Sequence, residues 1–314
     1  MRIVIVGAGG VGGYFGGRWV EAGLDVTFLA RGAHLEALRA EGLRVQSPLG
    51  DLRIDVSAVG TAEEVGEADL IFVATKSWQL QAAAEALGPM VGPGTIVLGL
   101  QNGVEAAGVL STFVPPSRVL GGTCRIMSFI ERPGVIRHAG VDPTLAFGEL
   151  PGSEPGLARP LLEALRGAKG MTLDLAEDIE AEIWRKFLFI APVSGVGSVT
   201  RAPIGVIRTL PEARRMLEAA VVEVFKVAVA KGVALGDSAG RDAMGFIDAV
   251  PYEGTSSMQR DFRDGRRTEL EELSGAVVRF GAAAGIDVPV HSVIYATLLP
   301  LEMKARGTLE FAVT

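Results

Sequence analysis

Three glycines near the start of the chain have the spacing of a phosphate-binding loop. Gly7, Gly9 and Gly12 follow a short apolar run, and a helical pattern of apolar residues comes directly after them. In this spacing the first glycine permits a tight turn, the second lets a pyrophosphate approach the backbone, and the third lets the helix pack on the strand. The helix N-terminus adds N–H groups and partial positive charge. We therefore predict a dinucleotide site formed by Gly7, Ala8, Gly9, Gly10, Val11 and Gly12, with an ordinary glycine-rich turn as the alternative.

Two cations follow predicted strands near this loop. An acidic residue at the end of the second strand would bind the ribose 2′-hydroxyl of NADH. Asp25 comes before the apolar residues of that strand, whereas Arg31 follows them. A guanidinium can bind a phosphate through two N–H groups, and Lys76, just after the strand at 70–74, can add a second positive charge. This pattern favours NADPH over NADH, with ordinary surface charges as the alternative.

Lys186 is the candidate proton donor. It lies in a predicted helix and is followed by four apolar residues. A lysine against an apolar wall can have a lowered pKa and can donate a proton near neutral pH. Glu182 lies four residues earlier, so the alternative is a surface ion pair between the two side chains.

Polar residues at predicted element ends could orient a substrate. Asn102 follows the strand at 95–100, at the edge where parallel sheets bind ligands. It can orient a nicotinamide or a substrate oxygen, although Asn-Gly also forms simple turns.

Two serines and a glutamate stand at predicted helix starts. Ser256 and Ser257 have the pattern of N-caps, and Ser256 with Gln259 fits a capping box. Thr268 and Glu271 form a second predicted box, which places Glu269 in the first helical turn. The helix dipole favours a glutamate there, so the position of Glu269 does not by itself assign it a catalytic role.

The surrounding pattern divides the chain into two parts. Strands at 3–6, 26–29, 70–74 and 95–100 alternate with helices, which predicts an α/β fold with a Rossmann-type doubly wound parallel sheet. Residues 43–45 and 52–59 have the pattern of a β-hairpin. We predict further strands at 119–130, 134–138 and 144–148, which could form an antiparallel edge of the sheet. From residue 177 the pattern is helical: a helix at 177–190, one from Pro211 to Gly232, and regions opening at Ser256 and Thr268. We predict a nucleotide-binding domain over 1–175 and an all-helical domain over 176–314.

Composition narrows the class of protein. The 314 residues are 48% hydrophobic and 21% charged, with a net charge of −7 that gives no reason to expect nucleic acid. Cys124 is the only cysteine, which suits a reducing cytoplasm, and the three histidines have no metal-ligand spacing. We expect no targeting or membrane-spanning segment. The apolar stretches 217–229 and 277–284 could serve a homodimer as well as a core.

Taken together, these segments resemble the ketopantoate reductase (2-dehydropantoate 2-reductase) family over nearly the whole chain. The resemblance implies a Rossmann domain, an all-helical C-terminal domain, and NADPH-dependent reduction of ketopantoate to pantoate, a step towards pantothenate and coenzyme A. Arg31 and Lys76 match positions that meet the NADPH 2′-phosphate. The motifs that carry the resemblance are Gly7-Ala8-Gly9-Gly10-Val11-Gly12, Ala30-Arg31, Lys76-Ser77-Trp78-Gln79, Gln101-Asn102-Gly103, Trp184-Arg185-Lys186, Ser256-Ser257-Met258 and Thr268-Glu269-Leu270.

The same resemblance implies roles for the remaining candidates. Lys186 matches the lysine proposed as general acid, and Glu269 matches the glutamate that holds the substrate hydroxyl. Asn102 matches the active-site asparagine, and Ser257 matches a serine near the substrate carboxylate.

The chain departs from the family pattern in the substrate pocket. Ile190 and Ser194 stand where asparagines are common, as do Gly254 and Ser274. We therefore expect the partner to be a small-molecule 2-keto acid, which the resemblance implies is ketopantoate; the alternatives are another branched 2-keto acid and a related 3-keto or opine-type compound. A non-catalytic NADP(H) sensor is the alternative from another functional class, although a sensor needs neither the lysine nor the glutamate.

Overall fold

The computed structural model describes residues 1–312 and divides into two compact units. The first unit comprises Met1–Gln101 and Glu105–Glu182, and the second comprises Asn102–Val104 and the chain from Ile183 onward. The division falls inside one long helix, after the predicted boundary at residue 175.

The strands all belong to the first unit. They are β1 (Arg2–Val6), β2 (Asp25–Leu29), β3 (Leu43–Gln46), β4 (Leu52–Ile54), β5 (Ser57–Val59), β6 (Ala68–Val73), β7 (Val91–Gly99), β8 (Val119–Arg125), β9 (Ser128–Arg132), β10 (Val135–His138), β11 (Thr144–Glu149) and β12 (Thr172–Leu175). The helices of this unit are α1 (Gly10–Glu21), α2 (Gly32–Glu41), α3 (Leu80–Glu85), α4 (Ala106–Leu110) and α5 (Ala158–Leu165).

The strands form two sheets. The larger has eight strands in the order β12-β11-β8-β7-β6-β1-β2-β5. The six neighbouring strands β8, β7, β6, β1, β2 and β5 run parallel to one another. Strand β11 is antiparallel to β8 and parallel to β12, which forms the edge. The smaller sheet has the order β4-β3-β10-β9.

Helices cover both faces of the larger sheet. Ile3 and Ile5 of β1 pack with Tyr14 and Trp19 of α1 on one face, while Val4 and Val6 belong to a separate cluster with α3 and α4. Alternate residues of a strand point to opposite faces, so β1 is buried on both. The predicted doubly wound α/β fold is confirmed.

Two predicted strands are wrong in extent. Residues 52–59 split into β4, which pairs antiparallel with β3 as predicted, and β5, which joins the larger sheet beside β2. Residues 119–130 split into β8 and β9, which belong to different sheets. Both runs are apolar enough for one strand, and only pairing with distant segments sets where each one breaks.

The second unit is helical. Its elements are α6 (Ile179–Thr200), which begins in the first unit, α7 (Ile204–Thr209), α8 (Pro211–Ala230), α9 (Ala239–Ala249), α10 (Ser257–Arg263), α11 (Ala276–Ala284) and α12 (Pro289–Ala305). A π-helical turn at Glu271–Gly275 leads into α11. The predicted end of α6 at residue 190 is wrong: the helix continues through Pro192, which removes one backbone hydrogen bond without ending it. Within residues 1–312, no helix has the length and apolar character required to cross a membrane.

Candidate active site

The loop between β1 and α1 excludes side chains at two of its three motif glycines. Gly7 has φ +98°, and a Cβ atom on Gly12 would lie 2.1 Å from the carbonyl oxygen of Gly7. Gly9 differs, because a Cβ atom there would meet no heavy atom within 4 Å. The backbone at Gly9 is thus open to an approaching group, whereas Gly7 and Gly12 keep the turn and helix close to the sheet.

Gly10 is required for a reason that the motif does not reveal. A Cβ atom on Gly10 would lie 2.3 Å from the carbonyl oxygen of Ser128, because the start of β9 crosses the start of α1. A Cβ atom on Gly13 would similarly lie 2.7 Å from the side chain of Ile136 in β10. The β9–β10 hairpin therefore packs directly on the first turn of α1.

The N-terminus of α1 fits a phosphate group. Gly9 is the N-cap residue, no described side chain caps the helix, and its first turn carries no acidic residue. Uncapped N–H groups at the positive end of a twelve-residue helix form an anion site. The open backbone at Gly9 and this uncapped end are the observations that suit a dinucleotide.

Arg31 and Lys76 lie beyond the strands on either side of β1. Val6 at the end of β1 pairs with Leu29 of β2 and with Val73 of β6, so the three strands end at the same level. Arg31 and Lys76 follow Leu29 and Val73 closely in the chain, and both are exposed. Two positive charges therefore flank the glycine loop at the carboxyl edge of the sheet.

Gln101 holds the segment that leads to Lys76. Its Nε2 donates to the carbonyl oxygens of Val73 and Thr75, each at 3.1 Å. Sequence reasoning identified the Gln-Asn-Gly motif but assigned no role to the glutamine, because its partners lie on another strand.

Asn102 and Glu269 are brought together within the second unit. Asn102 Nδ2 donates to Glu269 Oε2 at 2.9 Å, and Glu269 is only 4% exposed. Gly103 has φ +98°, so the Asn-Gly turn predicted as the alternative is also present. The turn and the polar contact are therefore compatible, since the turn aims the Asn102 side chain at the carboxylate.

Lys186 lies on a half-buried face of α6. Trp184, Phe187 and Leu188 are buried in the core, which fixes the rotation of the helix, and Arg185 is exposed. Helical periodicity places Ile190 one turn after Lys186 on the same face.

The C-terminal half of that face meets α10. A Cβ atom on Gly197, three turns after Lys186, would lie 2.8 Å from Gln259 Oε1. Ser256 caps α10 by accepting the Gln259 N–H at 3.1 Å, but the Gln259 side chain donates to Ala202 O, so only half of the predicted capping box forms. The cap belongs to Ser256, and Ser257 is the half-buried first residue of the helix.

The predicted capping box at Thr268 does not form as such: the Thr268 hydroxyl accepts the N–H of Leu270 at 3.2 Å and not that of Glu271. The Thr268 hydroxyl donates to Glu302 Oε2 at 2.6 Å, and the Thr268 N–H donates to the same oxygen at 2.9 Å. Glu271 instead accepts a hydrogen bond from Tyr295 at 2.8 Å. A buried carboxylate of α12 thus takes the place of Glu271 in the predicted box and anchors the residue before Glu269.

Comparison with known proteins identifies the family. The family model described as "Ketopantoate reductase PanE/ApbA" matches residues 3–152, and "Ketopantoate reductase PanE/ApbA C terminal" matches residues 178–302. The chain belongs to the ketopantoate reductase PanE/ApbA family. It is an oxidoreductase, as its relatives in the family are named.

Relatives in the family match nearly the whole chain. A 2-dehydropantoate 2-reductase of Halobacterium salinarum is 35% identical, covering 92% of this chain and 95% of the relative. The uncharacterized oxidoreductase YkpB of Bacillus subtilis is 31% identical, covering 95% and 98%. The crystal structure of 2-dehydropantoate 2-reductase from Geobacter metallireducens GS-15 is 30% identical, covers 97% and 100%, and has a TM-score of 0.88.

Three of the positions that depart from the family pattern lie in or against α6: Ile190 and Ser194 belong to the helix, and the Ser274 hydroxyl lies beside Gly195. Ser194 is fully buried, and its hydroxyl has no hydrogen-bond partner among the described residues. Ser274 is also fully buried and lies 3.4 Å from His291 Nδ1. Burial lowers the pKa of His291 to about 4, so this histidine is neutral. Gly254 packs against Val250 and Pro251.

Sequence reasoning missed Glu272. Burial raises the pKa of this carboxyl to about 7, and the neighbouring Glu269 and Glu271 carboxylates add to the increase. Three glutamates in four residues were a visible signal, but only the fold shows which one is removed from water. No group of three or more metal-ligating side chains is arranged to hold a metal ion within residues 1–312.

Proposed function

We propose that this protein reduces 2-dehydropantoate (ketopantoate) to (R)-pantoate with NADPH, in the biosynthesis of pantothenate and coenzyme A. The observation that carries the proposal is the 2.9 Å hydrogen bond between Asn102 and Glu269. These residues are distant in sequence, and both match active-site positions of the family. Membership of the ketopantoate reductase family and the name of the Halobacterium salinarum relative support the same activity.

Lys186 is the proposed general acid. When bound, the reduced nicotinamide supplies a hydride to the keto carbon, so negative charge grows on the carbonyl oxygen. The Lys186 ammonium donates a hydrogen bond to that oxygen and then delivers a proton. General acid catalysis contributes about 10²- to 10⁴-fold, or roughly 3 to 5 kcal/mol of the barrier.

Three further side chains bind the substrate in this proposal. Glu269 accepts a hydrogen bond from the substrate hydroxyl, and Asn102 orients both Glu269 and the bound reactants. Ser257, at the N-terminus of α10, binds the substrate carboxylate.

The phosphate groups of the cofactor would be held by the first unit's loop and its two cations. The loop from Gly7 to Gly12 would bind the pyrophosphate through backbone N–H groups at the start of α1, and Arg31 and Lys76 would bind the 2′-phosphate that distinguishes NADPH from NADH. The exposed positions of both cations at the carboxyl edge of the sheet support this preference.

Substitution of Lys186 tests the catalytic part. We expect Lys186→Ala to lower kcat by at least about two decades while the NADPH Kd, measured by nicotinamide fluorescence, stays unchanged. Arg185→Ala is the matched control, because Arg185 is the adjacent and exposed cation of the same helix. If Lys186→Ala retains turnover within a few-fold of the wild type, Lys186 is an ion-pair residue and not the acid.

Substitution of Arg31 tests the cofactor part. We expect Arg31→Ala to weaken NADPH far more than NADH, because only NADPH carries the 2′-phosphate. Arg39→Ala is the control on the same helix, since Arg39 is paired with Glu64 at 3.2 Å. Equal losses for the two nucleotides would remove the case for phosphate recognition.

A second candidate is the reduction of a different branched 2-keto acid by the same lysine. Ile190 favours it, because an apolar side chain lies one turn from Lys186 on the same helix face. A panel of 2-keto acids, followed by NADPH oxidation at 340 nm, separates the two candidates by kcat/KM. Tight NADPH binding without turnover on any keto acid would instead support the non-catalytic sensor.

Two wider expectations belong to the same proposal. We place the enzyme in the cytoplasm, where a lone buried thiol such as Cys124 stays reduced. A homodimer is tested by light scattering after gel filtration, because Val222 and Val229 expose apolar surface on α8.

A further inference from the structure

Three glutamates at and just before the π-helical turn Glu271–Gly275 have different environments. Glu269 accepts the hydrogen bond from Asn102, and Glu271 accepts one from Tyr295 and lies 3.4 Å from Arg279. Glu272 differs from both: its carboxyl accepts a hydrogen bond from its own backbone N–H, but its Oε2 atom is buried and has no hydrogen-bond partner among the described residues. A carboxylate in this condition is destabilised in its charged form.

The segment Asn102–Val104 lies against this turn at two adjacent points. Asn102 reaches Glu269 with its side chain, and a Cβ atom on Gly103 would lie only 2.8 Å from the carbonyl oxygen of Glu272. The positive φ of Gly103 makes this close approach attainable. The Glu272 backbone carbonyl therefore lies next to Gly103, the neighbour of the Asn102 side chain that orients Glu269.

The charges that face Glu272 come from two elements. Glu269 and Glu271, which flank the start of its own turn, repel its anion, and Arg306 at the end of α12 attracts it. The segment Asn102–Val104 brings no charge of its own. Burial, together with the two carboxylates, outweighs the hydrogen bond from the Glu272 backbone N–H and the attraction of Arg306, and raises the pKa of Glu272 to about 7. Its proton is consequently lost within the physiological pH range.

We propose that Glu272 is a positioning residue whose protonated side chain keeps the Asn102–Glu269 pair competent to bind an anionic keto acid. Loss of the Glu272 proton places a second negative charge beside Glu269, which repels both that carboxylate and the incoming substrate carboxylate. This inference rests on the proposed function and adds pH regulation to the same site. The effect appears in the KM of the keto acid and not in the binding of the nucleotide.

The kinetic test compares pH profiles. We expect the KM of the wild type for ketopantoate to rise by up to about tenfold between about pH 6 and pH 9, equivalent to one pKa unit of coupling. Glu272→Gln, which has nearly the shape of the protonated acid, should keep the low KM throughout. Glu271→Gln is the matched control on the same turn: it should retain the rise but move it to lower pH, because one repelling carboxylate is gone.

A spectroscopic readout makes the test independent of turnover. In protein labelled with ¹³C at glutamate Cδ, the Glu269 resonance of the wild type should shift as Glu272 titrates near pH 7, and this shift should be absent in Glu272→Gln. A flat wild-type KM profile, an unchanged rise in Glu272→Gln, or a Glu269 resonance that ignores the titration would overturn the proposal. If no keto acid is reduced but the resonance shifts, the proposed function fails and the coupling between the two carboxyls stands.

Discussion

Replacing Glu302 with glutamine should destabilise the protein more than the same replacement in a surface ion pair, because Glu302 anchors Thr268 next to the candidate site. Glu302 is fully buried and accepts three hydrogen bonds, two from Thr268 and one from Arg306 Nε at 2.7 Å. Glutamine keeps one acceptor oxygen, which can serve Thr268, but its amide then faces the Arg306 guanidinium. A lost hydrogen bond to a charged group costs about 1.5 to 3 kcal/mol, and this is the loss of unfolding free energy that we expect.

The control has the same chemistry at the surface. Arg214 and Glu218 also form a pair four residues apart, with Nε and Oε1 at 2.7 Å, but both side chains are partly exposed. Glu218→Gln should therefore cost no more than about 0.5 kcal/mol. Urea unfolding monitored by circular dichroism measures both variants.

The same substitution should reach the site. Thr268 precedes Glu269, so a shift of the anchor moves the carboxylate that meets Asn102. Because displacements of about 1 Å can cost up to 10²-fold in rate, we expect kcat/KM for the keto acid to fall by at least about tenfold. If Glu302→Gln unfolds with the same free energy as Glu218→Gln, and turns over normally, the Thr268–Glu302 contact is not the anchor.

Three further predictions concern stability and nucleotide binding. Gly9→Ala should change the unfolding free energy by less than about 1 kcal/mol but abolish tight NADPH binding. Gly10→Ala should destabilise the fold by more than about 2 kcal/mol, because the new Cβ atom would meet the Ser128 carbonyl. Equal stability of the two variants in urea would contradict the described packing. Glu223→Ala removes the acceptor of the Val290 and His291 N–H groups at the start of α12 and should cost about 2 to 4 kcal/mol, and a change below about 0.5 kcal/mol in the same assay would show that water replaces it. The pKa of Glu272 is raised to about 7 in the folded protein, so its contribution to the free energy of unfolding is fully present below its unfolded pKa of about 4.5 and is lost as pH rises through 7. After allowance for solvent screening, we expect the wild type to lose about 1 to 2 kcal/mol of unfolding free energy across that range. Free energies derived from Tm should show this loss in the wild type and not in Glu272→Gln.

Local patterns were sufficient for the features that depend on neighbouring residues. Each of these features depends on a few adjacent side chains and could be predicted from the sequence. They are the strand, glycine turn and helix at the N-terminus, the helix that begins at Pro211, and the Ser256 cap. The parallel sheet followed from the alternation of elements.

Features set by distant partners could not be predicted in this way. Thr268 had the local signature of a capping box with Glu271, yet its backbone N–H and its hydroxyl donate to Glu302 of another helix. The apolar run at 119–130 gave no sign that its two halves would join different sheets. Glu272 could not be distinguished from Glu271 by type, since burial and the position of Arg306 decide between them. The roles of Lys186, Ser257 and the two cations remain predictions that the proposed variants test.

The contact of Ser128 with Gly10 sets a minimum length for any fragment of this chain that is meant to bind a nucleotide in another protein. Cutting the chain after β7 would retain the glycine fingerprint and both flanking cations. It would also remove the β9–β10 hairpin that rests on the opening turn of α1, and with Ile136 gone, the part of that helix it covers at Gly13 would be exposed to water. A minimal module must therefore extend at least through His138, and grafts that copy only the opening residues of the chain should bind poorly even though their fingerprint is intact.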